Sequence, residues 1–215
     1  MPRLEQARAW YREDDAVHGF GHIRRVHALC GEIGRTEGAD MDILLAAALL
    51  HDAQGSHPEE NSRNDHHLRS ARFAGEVLAG MGWGAERIQA VQHCIRAHRF
   101  RDVEQPQTLE ARVLFDADKL DVIGAVGIVR ALAYALQISQ PVFAEPSALF
   151  LQTGRKEPGE PHSAYHEYLF KLKKISSVLI TPTARRLAAG RQAFLDRFFD
   201  ELAAEMRGSP GQPSP

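Results

Sequence analysis

The chain has 215 residues, 44% of them hydrophobic and 25% charged, which is ordinary for one folded domain with a real core. A net charge of −2 excludes a general electrostatic footprint for nucleic acid, so a phosphate-bearing ligand must be drawn locally by metal and a few Arg or Lys side chains. Cys30 and Cys94 lack the CxxC spacing of a zinc or redox motif and fall in apolar helical patterns, so they read as buried thiols of a reducing cytoplasm.

The opening Met1-Pro2-Arg3-Leu4-Glu5 carries no apolar signal region, and the longest apolar run, around Ile43–Leu50, is far too short to span a bilayer. A cytoplasmic chain without a membrane segment is the expectation. Helical periodicity dominates and no alternating run is sustained, so the fold class is expected to be all-α. A short helix is expected from Leu4 to about Arg12. Phe20 to Glu37 carries Ile23, Val26, Leu29, Cys30 and Ile33 on one face, and Gly38 is placed to end that helix in a left-handed cap. Asp40 can cap the next helix, Met41 to Asp52, whose middle is apolar all round and so belongs in the domain centre.

A polar stretch, Gln54 to Asp65, separates this from helices expected over His67–Met81, Ala85–His98 and Leu109–Gln137, the last breaking near Gly124. Ser139 to Ser163 holds four prolines and two glycines and reads as a long loop of functional or mobile type. Ala164–Ile175 returns to helix. Thr181-Pro182 supplies a capping hydroxyl and a first-turn proline for the final helix, with Leu187, Phe194, Leu195, Phe198 and Leu202 expected as its packing face. One domain over residues 1–207 and a disordered tail over 208–215 follow, because no internal repeat or boundary interrupts the pattern before the tail.

One feature stands out chemically: the apolar run Leu44–Leu50 ends in His51-Asp52. A helix C-terminus favours a histidine cation through its dipole but opposes a carboxylate at the same end. His22 lies upstream, and Asp118 downstream in Phe115-Asp116-Ala117-Asp118-Lys119-Leu120-Asp121. Neighbouring helix residues diverge by about 100°, yet at a helix end both can tilt toward one point. Three segments can thus supply two imidazoles and two carboxylates, a donor set that suits Mn, Fe, Co, Ni, Zn or Mg; without thiolates it is not a closed structural zinc site.

The order His22 … His51-Asp52 … Asp118 resembles the HD domain of metal-dependent phosphohydrolases. The flanks His18-Gly19-Phe20-Gly21-His22-Ile23-Arg24-Arg25-Val26, Gly38-Ala39-Asp40, Asp116–Gly124 and Gly127-Ile128-Val129-Arg130-Ala131 are similar to the small bacterial members. The likeness runs from about Asp15 to Met206. It implies an all-α HD-domain bundle of six or more helices and phosphohydrolase activity, nucleotides included. By position it implies the ligands His22, His51, Asp52 and Asp118 for one divalent ion. Asp116 is the runner-up, set aside because the Ala-Asp-Lys-Leu frame around Asp118 matches the Ala-Asp-Arg-Leu of relatives. Where relatives often place an acid two residues after the His-Asp pair, this chain has Gln54.

The mechanism implied is hydrolysis by a metal-activated water. Asp52 or Asp121 is expected to help deprotonate that water, while Lys119, Arg25 or His98 stabilise developing charge. His18 is expected in a turn, and His57, His66 and His67 as solvated side chains. Trp10 and Trp83 read as packing residues, and Lys171-Leu172-Lys173-Lys174 as a solvated face. The expected partner is a small phosphate substrate, a nucleotide first, with the chain a monomer or homodimer. Two alternatives stay open: a metal- and nucleotide-binding sensor without turnover, and a di-iron oxygenase of the distant HD type.

Overall fold

Gly38 adopts φ 83° and closes α2 (Phe20–Glu37) in the left-handed region, its N–H bonding the Gly34 carbonyl, because a residue with no Cβ reaches that conformation without penalty. Asp40 then accepts from the backbone N–H groups of Asp42 and Ile43 and opens α3 (Met41–Leu50). These two helices are the frame of the site. The computed structural model describes residues 1–11, 19–54, 65–99 and 104–208; the expectations for Arg12, Asp15, His18, His57 and the tail beyond residue 208 fall outside them.

The remaining helices are α1 (Leu4–Ala7), α4 (His66–Gly80), α5 (Ala85–Ala97), α6 (Leu109–Leu120), α7 (Gly124–Gln137), α8 (Ala148–Thr153), α9 (Ala164–Phe170), α10 (Ile175–Val178) and α11 (Pro182–Met206), with 3-10 turns at Arg8–Trp10 and Leu172–Lys174. No strand occurs among the described residues. The all-α expectation holds. No single helix among them is long and apolar enough to cross a membrane.

The structure divides into two compact units. The first comprises residues 1–121 with 179–184, the second residues 122–178 with 185–215. In the first, α3 is the central post: Leu44, Ala46, Ala47, Ala48, Leu49 and Leu50 are all buried, as its uniform apolarity requires. It is flanked by the inward faces of α2 (Ile23, Val26, Cys30, Ile33), α5 (Val91, Cys94, Ile95) and α6 (Val113, Leu114, Ala117, Leu120). Both cysteines are buried thiols, as expected. Trp10 packs edge-on against Phe73 and Trp83 lies under Arg87.

In the second unit, Gly124 has φ 74°, and this left-handed residue opens α7 where the break was expected. The Ser139–Ser163 stretch is not one long loop. Ser147 caps α8 by accepting from Phe150 N–H, and Glu160 binds both the backbone N–H and the hydroxyl of Ser147 at 2.7 Å. A six-residue helix held by a distant, part-buried acid has too little periodicity to show in sequence. The packing face of α11 also differs from expectation. Ala184, Ala188, Gln192, Leu195, Phe199 and Ala203 are buried, whereas Phe194 is 43% exposed. The inward stripe runs at intervals of three and four and takes in alanines and Gln192 beside Leu195 and Phe199, so a count of large side chains alone misplaces part of it. Tyr168 stacks on Phe199 at 4.5 Å and 11°. Lys173 and Lys174 face solvent as expected, while Leu172 between them is buried.

Candidate metal centre

Every residue of the expected constellation lies in the first unit. The apolar rows of α3 carry His51 and Asp52 to the helix end, both buried. The first turn of α2 presents His22 from one side, and the last turn of α6 presents Asp118 from another. His22 Nε2 lies 3.4 Å from His51 Nε2, 3.3 Å from Asp118 Oδ1 and 3.8 Å from Asp52 Oδ2; His51 Nε2 is also 3.8 Å from Asp52 Oδ2. One ligand atom each from His22, His51 and Asp118 falls within 4.8 Å of the others. Bonds of about 2.0–2.2 Å from nitrogen and oxygen to one ion span such separations.

The proton positions decide what this cluster is. His22 Nδ1 meets Asp121 Oδ2 at 2.7 Å, and Asp121 is itself gripped by Arg25 at 2.6 and 3.0 Å. A carboxylate in that setting accepts, so His22 Nδ1 carries the hydrogen. His51 Nδ1 lies 2.9 Å from the Ala48 carbonyl, which can only accept. Burial pushes the His51 imidazole down to about 4, with His98 and His22 adding to the fall and Asp52 and Asp118 opposing it. The neutral His51 ring therefore turns a bare Nε2 lone pair toward the His22 ring and toward an Asp52 carboxylate oxygen. Burial works against the Asp52 carboxylate, but His51, His66 and His98 outweigh it and hold Asp52 well below the usual carboxylate range. Burial is likewise outweighed at Asp118 by Lys119 and His22. Acceptors facing acceptors in a low dielectric repel unless a cation sits among them. The donor set fits a divalent ion.

Other expected residues turn out differently. Asp116 points away: its carboxylate accepts from Ile180 N–H, Thr181 N–H and the Thr181 hydroxyl at 2.7–2.8 Å. Two residues apart on a helix means about 200° around it, so Asp116 and Asp118 cannot share a target. Asp121, a candidate base or a residue behind a ligand, meets the back of the His22 ring. Arg25, a candidate for phosphate or for a carboxylate, pairs with Asp121. Lys119 was expected to stabilise charge on substrate. Its buried ammonium donates to Asp118 Oδ2 and to the His98 carbonyl, both at 2.7 Å, so it ties α5 to α6.

His98 Nδ1 donates to the Ile95 carbonyl at 2.5 Å and its Nε2 lies 3.6 Å from Asp52 Oδ1. His66 was expected in solvent, but its Nε2 stands 3.4 Å from the same oxygen, and His67 is buried as well. The sequence signal was the Asp65-His66-His67 entry to α4, which is indistinguishable from a polar helix start without knowing where that start lands. Gln54 is half-buried, its backbone N–H donating to Ser70 Oγ at 3.1 Å.

A sequence model of the HD domain matches residues 19–123, the stretch that supplies all of these groups. The whole chain is 31% identical to YpgQ of Bacillus subtilis (strain 168), over 98% of that protein. The chain belongs to the HD-domain family. The solved structure of YpgQ in complex with ADP superposes with a TM-score of 0.73, covering 96% of this chain and 99% of that one. A Lactobacillus plantarum structure, 27% identical, gives 0.75 over 96% of this chain and 95% of its own. A predicted HD superfamily hydrolase of an uncultured Thermotogales bacterium, 28% identical, gives 0.63 over 94% and 90%. This HD domain thus shares its fold with hydrolase-family proteins along nearly its whole length.

Proposed function

We propose that this HD protein is a divalent-metal-dependent phosphohydrolase acting on a small phosphate ester or anhydride, with a nucleotide as the leading substrate. One observation carries the reading: Nε2 of His22 and Nε2 of His51 converge with oxygens of Asp52 and Asp118 at 3.3–3.8 Å. ADP bound to the Bacillus subtilis relative supports the choice of a nucleotide. A divalent ion held by His22, His51, Asp52 and Asp118 supplies positive charge that polarises a phosphoryl oxygen and acidifies a water. The chain's own groups do the rest. Asp121 and Arg25 hold His22 in the tautomer that leaves Nε2 bare. Asp52 Oδ1 faces His66 and His98 and is the acceptor through which the attacking water's proton leaves, with the two imidazoles as its next carriers. Lys119 fixes the position of Asp118 and His98.

The test is metal-depleted protein supplied with Mn, Co, Ni or Mg and a panel of nucleotides. Metal-restored turnover in the native chain and none in His51→Ala is the expected result; equal inactivity of both with every metal sinks the reading. Tight nucleotide binding without product identifies a sensor module instead, the alternative that Gln54 in place of an acid favours.

A second reading has two cations sharing Asp52. It is favoured by His98 Nε2, which faces Asp52 Oδ1 as a lone pair when the ring is neutral, because Nδ1 donates to Ile95. His51, Asp52 and His98 also place ligand atoms within 4.8 Å of one another. Metal analysis separates one ion per chain from two, and two irons would point to the oxygenase chemistry.

A further inference from the structure

The turn that carries His51 and Asp52 is clamped from outside the cluster. A helix ends with carbonyls that have no partner in the helix itself. At the end of α3, Ala48 O is taken by His51 Nδ1 at 2.9 Å and Leu50 O by Ala53 N–H at 3.3 Å. Leu49 O is taken by the hydroxyl of Tyr11 at 2.8 Å, from 38 residues upstream. One phenol from far upstream thus caps the carbonyl two residues before His51. Its ring packs against the buried cluster of Ala7, Ile23 and Leu49, with the Phe20 ring centroid 6.1 Å away.

We infer that Tyr11 is a positioning residue for the His51-Asp52 pair. By fixing the Leu49–Asp52 backbone it sets where His51 Nε2 and Asp52 Oδ2 meet, although it touches neither side chain's ligand atom. The inference rests on the reading of these two residues as metal ligands. Outlying groups that orient ligands commonly change metal affinity by about 10–100-fold when removed.

The experiment measures Co2+ affinity and the visible absorption of the Co2+-loaded full chain, well below its unfolding temperature, for the native protein, Tyr11→Phe and Trp10→Leu. Tyr11→Phe keeps the ring and removes the hydrogen bond to the Leu49 carbonyl. Trp10→Leu weakens the same apolar cluster without touching the turn. The expected result is Co2+ binding weakened about tenfold and an altered visible band in Tyr11→Phe, with both unchanged in Trp10→Leu even though its apo unfolding midpoint falls. Native-like affinity and spectrum in Tyr11→Phe overturn the assignment, as does an equal change in Trp10→Leu. A native chain that binds neither Co2+ nor Mn2+ overturns the ligand reading, and the role of Tyr11 with it.

Discussion

Asp121 shows how much of this site is orientation. Its carboxylate joins Arg25 and His22, which lie 96 and 99 residues away in sequence, and it is only 1% exposed. Asp121→Asn keeps the shape but offers one acceptor oxygen to two donors, so His22 is no longer held in one tautomer. The expected outcome is a loss of metal affinity of about 10–100-fold, read by calorimetric Mn2+ titration; an unchanged dissociation constant would remove Asp121 from the site. Lys119→Met is expected to act differently, since the ammonium joins His98 O to Asp118 Oδ2 in a buried place. Leaving both acceptors without their donor costs on the order of 3 kcal/mol, seen as a lower urea midpoint in the apo protein. His22, His51, Asp52 and Asp118 were legible as candidate ligands because ligand chemistry is a property of residue type. The jobs of Asp121, Arg25 and Lys119 were not, because a carboxylate or ammonium near a ligand reads the same whether it faces substrate or the back of an imidazole.

At the scale of elements, two glycines shape the entry to α7. A Cβ at residue 127 would run into the backbone carbonyl of Val122, which cannot move aside as a flexible side chain would. Gly127→Ala is therefore expected to cost about 1–3 kcal/mol, measured by urea unfolding; a neutral effect would show that the break tolerates a side chain. The stretch before α9 depends on Glu160. The Ser147 N–H, then the Glu157 N–H, His166 and the Ser147 hydroxyl hold its carboxyl at about 2, below the ordinary 4.5, and outweigh the opposing effect of burial. A depressed carboxyl contributes stability that is full above the unfolded value and lost as pH falls through the folded one. Glu160→Gln should lower the apo midpoint by a few degrees at pH 7 and flatten its decline between pH 4.5 and about 2. An unchanged thermal profile by circular dichroism would mean Glu160 does not hold this segment. Helix ends were legible wherever a local cap marks them, as at Gly38 and Asp40. Helix α8 was not, since its stabilising acid lies 13 residues on.

At the scale of the molecule, the candidate ligands come from α2, from the end of α3 and from α6 of one unit, so an ion held there would link metal binding to the folding of that unit. An ion at a hundredfold excess over its dissociation constant stabilises by about 2.7 kcal/mol. Chelation should lower the unfolding midpoint of the native chain and leave that of His51→Ala unmoved; equal midpoints with and without chelator in the native chain would deny the linkage. The sequence by itself determined the all-α class, most helix positions, the post-like burial of α3 and the chemical types of the ligands. These depend on periodicity, on caps within a few residues and on donor chemistry, all of which are local. Only the tertiary structure decided that Asp118 faces His22 while Asp116 turns to Thr181, that His66 reaches Asp52, and that Tyr11 closes the end of α3. Those outcomes depend on the direction a side chain takes around a helix and on which distant segment packs there, and that is set by the burial of whole faces against one another.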